Sequence, residues 1–229
     1  MKEKKMYIVL GGSGKLGGML INYLTKKYSD CNVFYTYNKH SSRSDKGKGI
    51  HADFLNWDSV NDLFDLLMSH MEENNIYDVC IINAIGSYFK ENFGDFSIEK
   101  FNQTMSLQCT NYYKLLSFFL NKKEIKEILG IYISTNLTLR CNSGTFSYIA
   151  SKSAAESITR QLAYQYRNEK KVRFNIIAPG YFGDMTAEQT EIKEQAIIND
   201  ICRAVSFFSE TEVVTGAKIV IDGGETSGY

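Results

Sequence analysis

Residues 8–18 read IVLGGSGKLGG, an apolar run that breaks into glycines and resumes with Leu16, Leu20, Ile21 and Leu24 at helical spacing. No other stretch narrows the possible folds so far. A strand that passes at once into a helix needs a tight turn, and Gly12, Gly14 and Gly17 stand in the GxGxxG order that lets backbone approach a pyrophosphate and pack the helix on its strand. The first N–H groups of such a helix have no partners within it and point at the anion. Gly14-Lys15 also resembles the end of the ATPase phosphate loop. That motif needs Ser or Thr where Leu16 stands and a glycine where Val9 stands, so it is excluded.

The rest of the chain repeats the alternation. Apolar strand-like runs occur at 7–10, 33–37, 79–83, 128–134, 172–178 and 217–221, with a weaker one near Ile50. Between them, residues 58–71 carry Val60, Leu63, Phe64, Leu67 and Met68 at helical spacing, and Ser97 is placed to cap a helix over 98–120. Strands that alternate with helices imply a parallel sheet covered on both faces. The expected fold class is α/β, a Rossmann-type doubly wound parallel sheet of about seven strands. No Pro-, Gly- or Ser-rich stretch divides the chain, so residues 1–229 are expected to form one dinucleotide-binding and catalytic domain.

Composition removes several classes of function. The 26 basic residues equal the 26 acidic ones, which argues against a nucleic-acid partner. The apolar run at 6–10 is too short for a signal-peptide core, and the run at 112–120 is broken by Lys114 and cannot span a bilayer. No membrane association and a cytoplasmic location are expected. Five cysteines without a CxxC pair, and three histidines, signal neither a disulfide framework nor a metal site. The second strand runs into VFYTYNKHSSR, with no carboxylate from Val33 to Arg43 and with Asn38, Lys39, His40, Ser41, Ser42 and Arg43 at its end. A carboxylate there would hold the ribose hydroxyls of NAD, whereas cations and hydroxyls favour the 2′-phosphate of NADP. Lys15 is a further candidate for that phosphate.

Residues 146–155 read FSYIASKSAA. Tyr148 and Lys152 are four apart at a helix start, which puts a phenol and an ammonium on one face about 5–6 Å apart. The small residues Ala150, Ser151, Ala154 and Ala155 leave room around them. An ammonium favours the phenolate, so Lys152 is expected to lower the pKa of Tyr148.

In order along the chain, the glycine loop, His51-Ala52-Asp53-Phe54, Asn83-Ala84-Ile85-Gly86, Ile133-Ser134-Thr135, the YxxxK of Tyr148 to Lys152, Pro179-Gly180 and Asp222-Gly223-Gly224 resemble the short-chain dehydrogenase/reductase family, in particular its 3-oxoacyl-acyl-carrier-protein reductase branch. The resemblance implies reduction of a carbonyl by NADPH, with NAD less favoured. Tyr148 would be the proton donor, Lys152 its tuning group and ribose contact, and Thr135 the substrate-orienting hydroxyl at the family's spacing, with Ser134 one residue earlier. Cofactor contacts are implied at Gly11, Ser13, Gly14, Lys15, Leu16, Gly17, Asn38, Lys39, Asp53, Phe54, Asn83, Ala84, Gly86, Tyr148, Lys152, Pro179, Gly180 and Phe182.

Ser106 stands where the family carries a relay asparagine, and Asn102, one turn earlier, is an alternative donor. The segment after Pro179-Gly180 resembles a shortened lid. Tyr88, Phe89, Phe93, Phe146, Tyr181 and Phe182 are candidates for an aromatic wall. A ketone or acyl-thioester substrate is expected, as is a homodimer or homotetramer paired through the helices over 98–120 and 147–167, with Phe118, Phe119, Leu162, Tyr164 and Tyr166 as apolar surface. The competing readings are a non-catalytic dinucleotide-binding partner and an NAD-dependent alcohol dehydrogenase.

Overall fold

Met6, Ile8 and Leu10 of the first strand join one buried cluster while Tyr7 and Val9 join another, as the two-residue period of a strand covered on both faces requires. The structure, a computed structural model, describes residues 4–29, 31–40, 46–86, 90–140, 143–169, 171–181 and 188–228, with backbone alone over 188–194. The strands are β1 (Lys5–Leu10), β2 (Asn32–Tyr37), β3 (Lys48–His51), β4 (Asp78–Asn83), β5 (Glu127–Ile133), β6 (Val172–Pro179) and β7 (Lys218–Ile221). They form one seven-stranded sheet in the order β3-β2-β1-β4-β5-β6-β7, and every pairing is parallel. The weak signal near Ile50 is explained by β3, in which only that residue is buried.

The helices are α1 (Lys15–Lys27), α2 (Trp57–Asn74), α3 (Ile98–Met105), α4 (Asn111–Leu120), α5 (Phe146–Gln165) and α6 (Glu188–Glu210). Leu20, Ile21 and Leu24 of α1 and Ile201, Val205 and Phe208 of α6 pack on one face of the sheet. Residues of α2, α4 and α5, among them Leu63, Leu67, Leu115 and Ala155, pack on the other. The chain moves from β1 outward to β3, then returns to place β4 on the other side of β1. That reversal opens a crevice beyond the carboxyl ends of β1 and β4.

The helix expected over 98–120 begins where predicted, with Ser97 Oγ accepting from Lys100 N at 3.4 Å. It is interrupted by a π-helical turn at Ser106–Thr110. The buried amide of Asn111 stabilises the widened turn by donating through Nδ2 to Ser106 O at 2.8 Å and to Phe54 O. A second departure is Phe119, expected on an oligomer surface. It is fully buried in the core, whereas Tyr164 is two-thirds exposed.

Candidate active site

The loop after β1 is built by close packing. A Cβ on Gly17 would lie 2.3 Å from Gly11 O, and one on Gly12 would lie 2.4 Å from Tyr35 Cβ. Neither position admits a side chain. The loop is pinned to β2, because Gly12 N donates to Thr36 O at 2.9 Å and Gly11 N to Thr36 Oγ1 at 3.0 Å. Gly14 caps α1 without a side-chain bond, and the first turn of α1 holds no acidic residue. The helix N-terminus is thereby left as a donor site for an anion, and these residues fit the pyrophosphate of a dinucleotide.

The loop forms one end of a cleft of about 860 Å³. Of the predicted positions, the cleft gathers Gly11, Ser13, Gly14, Lys15, Leu16, Gly17, Ala84, Gly86, Thr135, Tyr148, Lys152, Pro179 and Gly180. Asn38 and Lys39 are exposed at the end of β2, on the same carboxyl edge of the sheet but outside this cleft. Asp53 is half-buried, and its Oδ1 accepts from Leu55 N at 3.0 Å. Phe182, Tyr88, Phe89 and the cluster Ser41 to Arg43 lie outside the described residues.

Two of the expected cofactor residues have side chains engaged within the fold. The Asn83 side chain is fully buried, donating to Gln108 O at 3.3 Å and accepting from Ile85 N at 3.2 Å, so it braces the end of β4. The Phe54 side chain belongs to the core.

Tyr148 and Lys152 face the cleft from the first turns of α5. The Lys152 ammonium is buried and donates to Ile85 O at 3.1 Å and Ile133 O at 2.9 Å, with the Tyr132 ring 4.9 Å and the Tyr148 ring 5.8 Å away. Burial draws its pKa down from 10.5 to about 7. The expectation for Tyr148 is corrected here. Its pKa is raised, because burial outweighs the opposing hydrogen bond from Thr135.

The choice between Ser134 and Thr135 follows from packing. Ser134 Oγ donates to Glu156 Oε1 at 2.6 Å, within a buried cluster that Thr138 Oγ1 and Lys218 Nζ complete at 2.8 Å each. Thr135 is left to meet Tyr148. Glu156 follows Lys152 by one helical turn, a spacing that could have revealed it in the sequence.

Ser106 is half-buried at the start of the π turn and does not line the cleft, and its carbonyl is taken by Asn111. Asn102 is exposed on α3 and supplies no buried amide; Asn111 does. The aromatic wall is also revised. Tyr181 lines the cleft, whereas Phe93 and Phe146 pack together at 5.2 Å outside it.

Sequence reading missed Glu91. From the loop beyond β4, its carboxylate accepts from Ser147 N at 2.6 Å and Ser147 Oγ at 2.9 Å, and so closes the N-terminus of α5 one residue before Tyr148.

A doubly wound sheet with an open glycine-loop helix end, and with Tyr, Lys and Thr gathered at the other end of one cleft, defines a dinucleotide-dependent oxidoreductase fold. Residues 36–226 match the family model described as enoyl-(acyl carrier protein) reductase, and the chain belongs to the short-chain dehydrogenase/reductase family. A 3-oxoacyl-[acyl-carrier-protein] reductase of Bos taurus is 33% identical over 114 residues, 45% of this chain and 48% of that protein. The chain thus spans about half the length of the curated relatives it matches. A dehydrogenase/reductase of Sinorhizobium meliloti superposes with a TM-score of 0.80 at 19% identity, covering 96% of this chain and 94% of that one. A short-chain dehydrogenase of Leptospira borgpetersenii with bound NAD+ gives 0.79 at 21%, covering 98% and 93%. At these identities the likeness to solved structures speaks for the fold alone.

Proposed function

We propose that this protein reduces a ketone or 3-oxoacyl-like carbonyl to an alcohol with NADPH, acting as a single catalytic domain. The observation that carries the reading is the sharing of one cleft by the open N-terminus of α1 and the Tyr148, Lys152 and Thr135 side chains. The nicotinamide, when bound, supplies the hydride. Ser13 to Leu16 and the first N–H groups of α1 would hold the phosphates.

Tyr148 is kept protonated by burial, the state a general acid needs before it gives its proton to a carbonyl oxygen. The Thr135 hydroxyl orients that oxygen. Lys152, whose pKa near 7 lets it change charge near neutrality, replaces the proton at Tyr148 and contacts the ribose. The exposed Asn38, Lys39 and His40, without a nearby acid from Val33 to Arg43, support NADPH over NADH. A single charge-assisted phosphate contact gives at least tenfold preference, about 1.4 kcal/mol. The exposed Tyr164 and Ile158 on α5 support self-association.

The test is oxidation of NADPH against a panel of ketones and acyl thioesters. Tyr148→Phe should lower turnover by about 10²–10⁴-fold and leave NADPH affinity unchanged. A variant that keeps its turnover refutes the assignment, and equal binding of NADPH and NADH by fluorescence titration refutes the cofactor preference.

A further inference from the structure

The described residues lining the cleft include no carboxylate, and their cations are Lys15, Lys152 and Arg140. Lys15 belongs to the glycine loop, and Lys152 is held under Tyr148 by two carbonyls. Arg140 is left over, and nothing in the proposed reduction uses it. It lies on the wall that runs on from Thr135, beyond the short 3₁₀ turn at Asn136–Thr138.

Its guanidinium is held from behind. Nη2 donates to Glu225 Oε2 at 3.1 Å, and the same carboxylate oxygen accepts from Asn136 Nδ2 at 2.7 Å. Glu225 does not line the cleft. The Nε–H is shielded from solvent and has no hydrogen-bond partner among the described residues. Guanidinium N–H groups in a fixed plane suit the paired oxygens of a carboxylate or phosphate.

We propose that Arg140 is the specificity residue of this cleft and binds the oxyanion group of an anionic carbonyl substrate, a carboxylate or a phosphate, while Tyr148 addresses its carbonyl. The inference rests on the carbonyl-reductase reading above and narrows it. Glu225 sets the strength of the site, since it orients the guanidinium while cancelling part of its charge. Removal of the Arg140 charge and removal of the Glu225 charge therefore act in opposite directions.

The experiment uses the full chain with NADPH and two matched pairs: acetoacetate against methyl acetoacetate, and dihydroxyacetone phosphate against dihydroxyacetone. The anion of at least one pair should exceed its neutral partner tenfold or more in kcat/KM, mainly through KM, and the pair that responds identifies the oxyanion. Arg140→Gln should abolish that preference while changing the neutral partner less than about twofold. Arg140→Lys should restore part of it, and Glu225→Gln should raise it several-fold.

Equal use within both pairs, or a loss in Arg140→Gln shared by the neutral compounds, overturns the proposal. If NADPH binds and none of the four compounds is reduced, the reductase reading is what has failed. The anion site is then read by calorimetric titration of the NADPH complex with acetoacetate and with dihydroxyacetone phosphate. Binding that weakens tenfold or more in Arg140→Gln sustains the site, and absent or unchanged binding overturns it.

Discussion

Two helices begin at this cleft, and they begin differently. The N-terminus of α1 has a glycine cap, no side-chain acceptor and no acid in its first turn. The N-terminus of α5 is closed by Glu91, a carboxylate from another loop. The same partial positive charge is present at both. In the proposed function the charge at α1 receives the anion of the cofactor, whereas at α5 it is neutralised within the chain, which holds the first turn in place beside Tyr148. An open helix end makes a binding site, whereas a closed one makes a rigid mount.

Four measurements press on this contrast, from the largest effect to the smallest. Gly17→Ala forces a methyl to 2.3 Å from Gly11 O, so the loop must move away from its anion-binding shape. NADPH affinity should fall at least a hundredfold, about 2.7 kcal/mol by fluorescence titration. Unchanged affinity would show that the open end of α1 is not where the cofactor is held.

The rigid mount carries a buried base, and its cost depends on pH. Below pH 7 Lys152 is protonated in both folded and unfolded chains, and the full burial cost is felt. Between about 7 and 10.5 the unfolded chain holds the proton and the folded one does not, so stability rises with pH across that window. Relative to Lys152→Met, the wild type should gain about 2 kcal/mol or more from pH 7 to pH 10 in urea titrations. A gap that stays constant with pH would mean that Lys152 keeps its charge in the folded state.

Lys15→Glu places a negative charge in the first turn of the open helix, where it repels phosphate. NADPH affinity should drop about tenfold, near 1.4 kcal/mol, with little change in melting temperature. The smallest effect is expected from Glu91→Ala, which opens the closed end. It should cost about 1 kcal/mol of stability, read as a lower midpoint in urea, and leave NADPH affinity unchanged. A loss of affinity in Glu91→Ala as large as that in Lys15→Glu would erase the distinction between the two ends.

What the sequence disclosed follows the same division. The glycine loop and β1 were legible because one contiguous segment contains the strand, the turn and the helix start. The strands were legible because burial on both faces leaves unbroken apolar runs such as Val79 to Ile82. Thr135 was expected from the family's spacing to Tyr148, but the bond that engages Ser134, to Glu156, needs the packing of α5 against β5. Glu91 and Arg140 were invisible because each acts from a loop on a partner 56 or 85 residues away. The π turn was hidden because Ser106 to Thr110 carry no local signature, and the insertion is recognised only through the two carbonyls that Asn111 bonds. Phe119 was misjudged because helical periodicity marks an apolar face without saying what covers it.

The strand order has a consequence for how the protein comes into being. The cleft takes its walls from the ends of β1, β4, β5 and β6, and each neighbouring pair among these four strands is separated in the chain by at least one helix. Such pairings close long loops before contacts reward them, so the chain belongs among slow folders whose most distant contacts form late. No single strand-and-helix unit contains the whole cleft. The whole dinucleotide site therefore exists only once the sheet is assembled, and a ligand that binds it stabilises the finished structure as a whole.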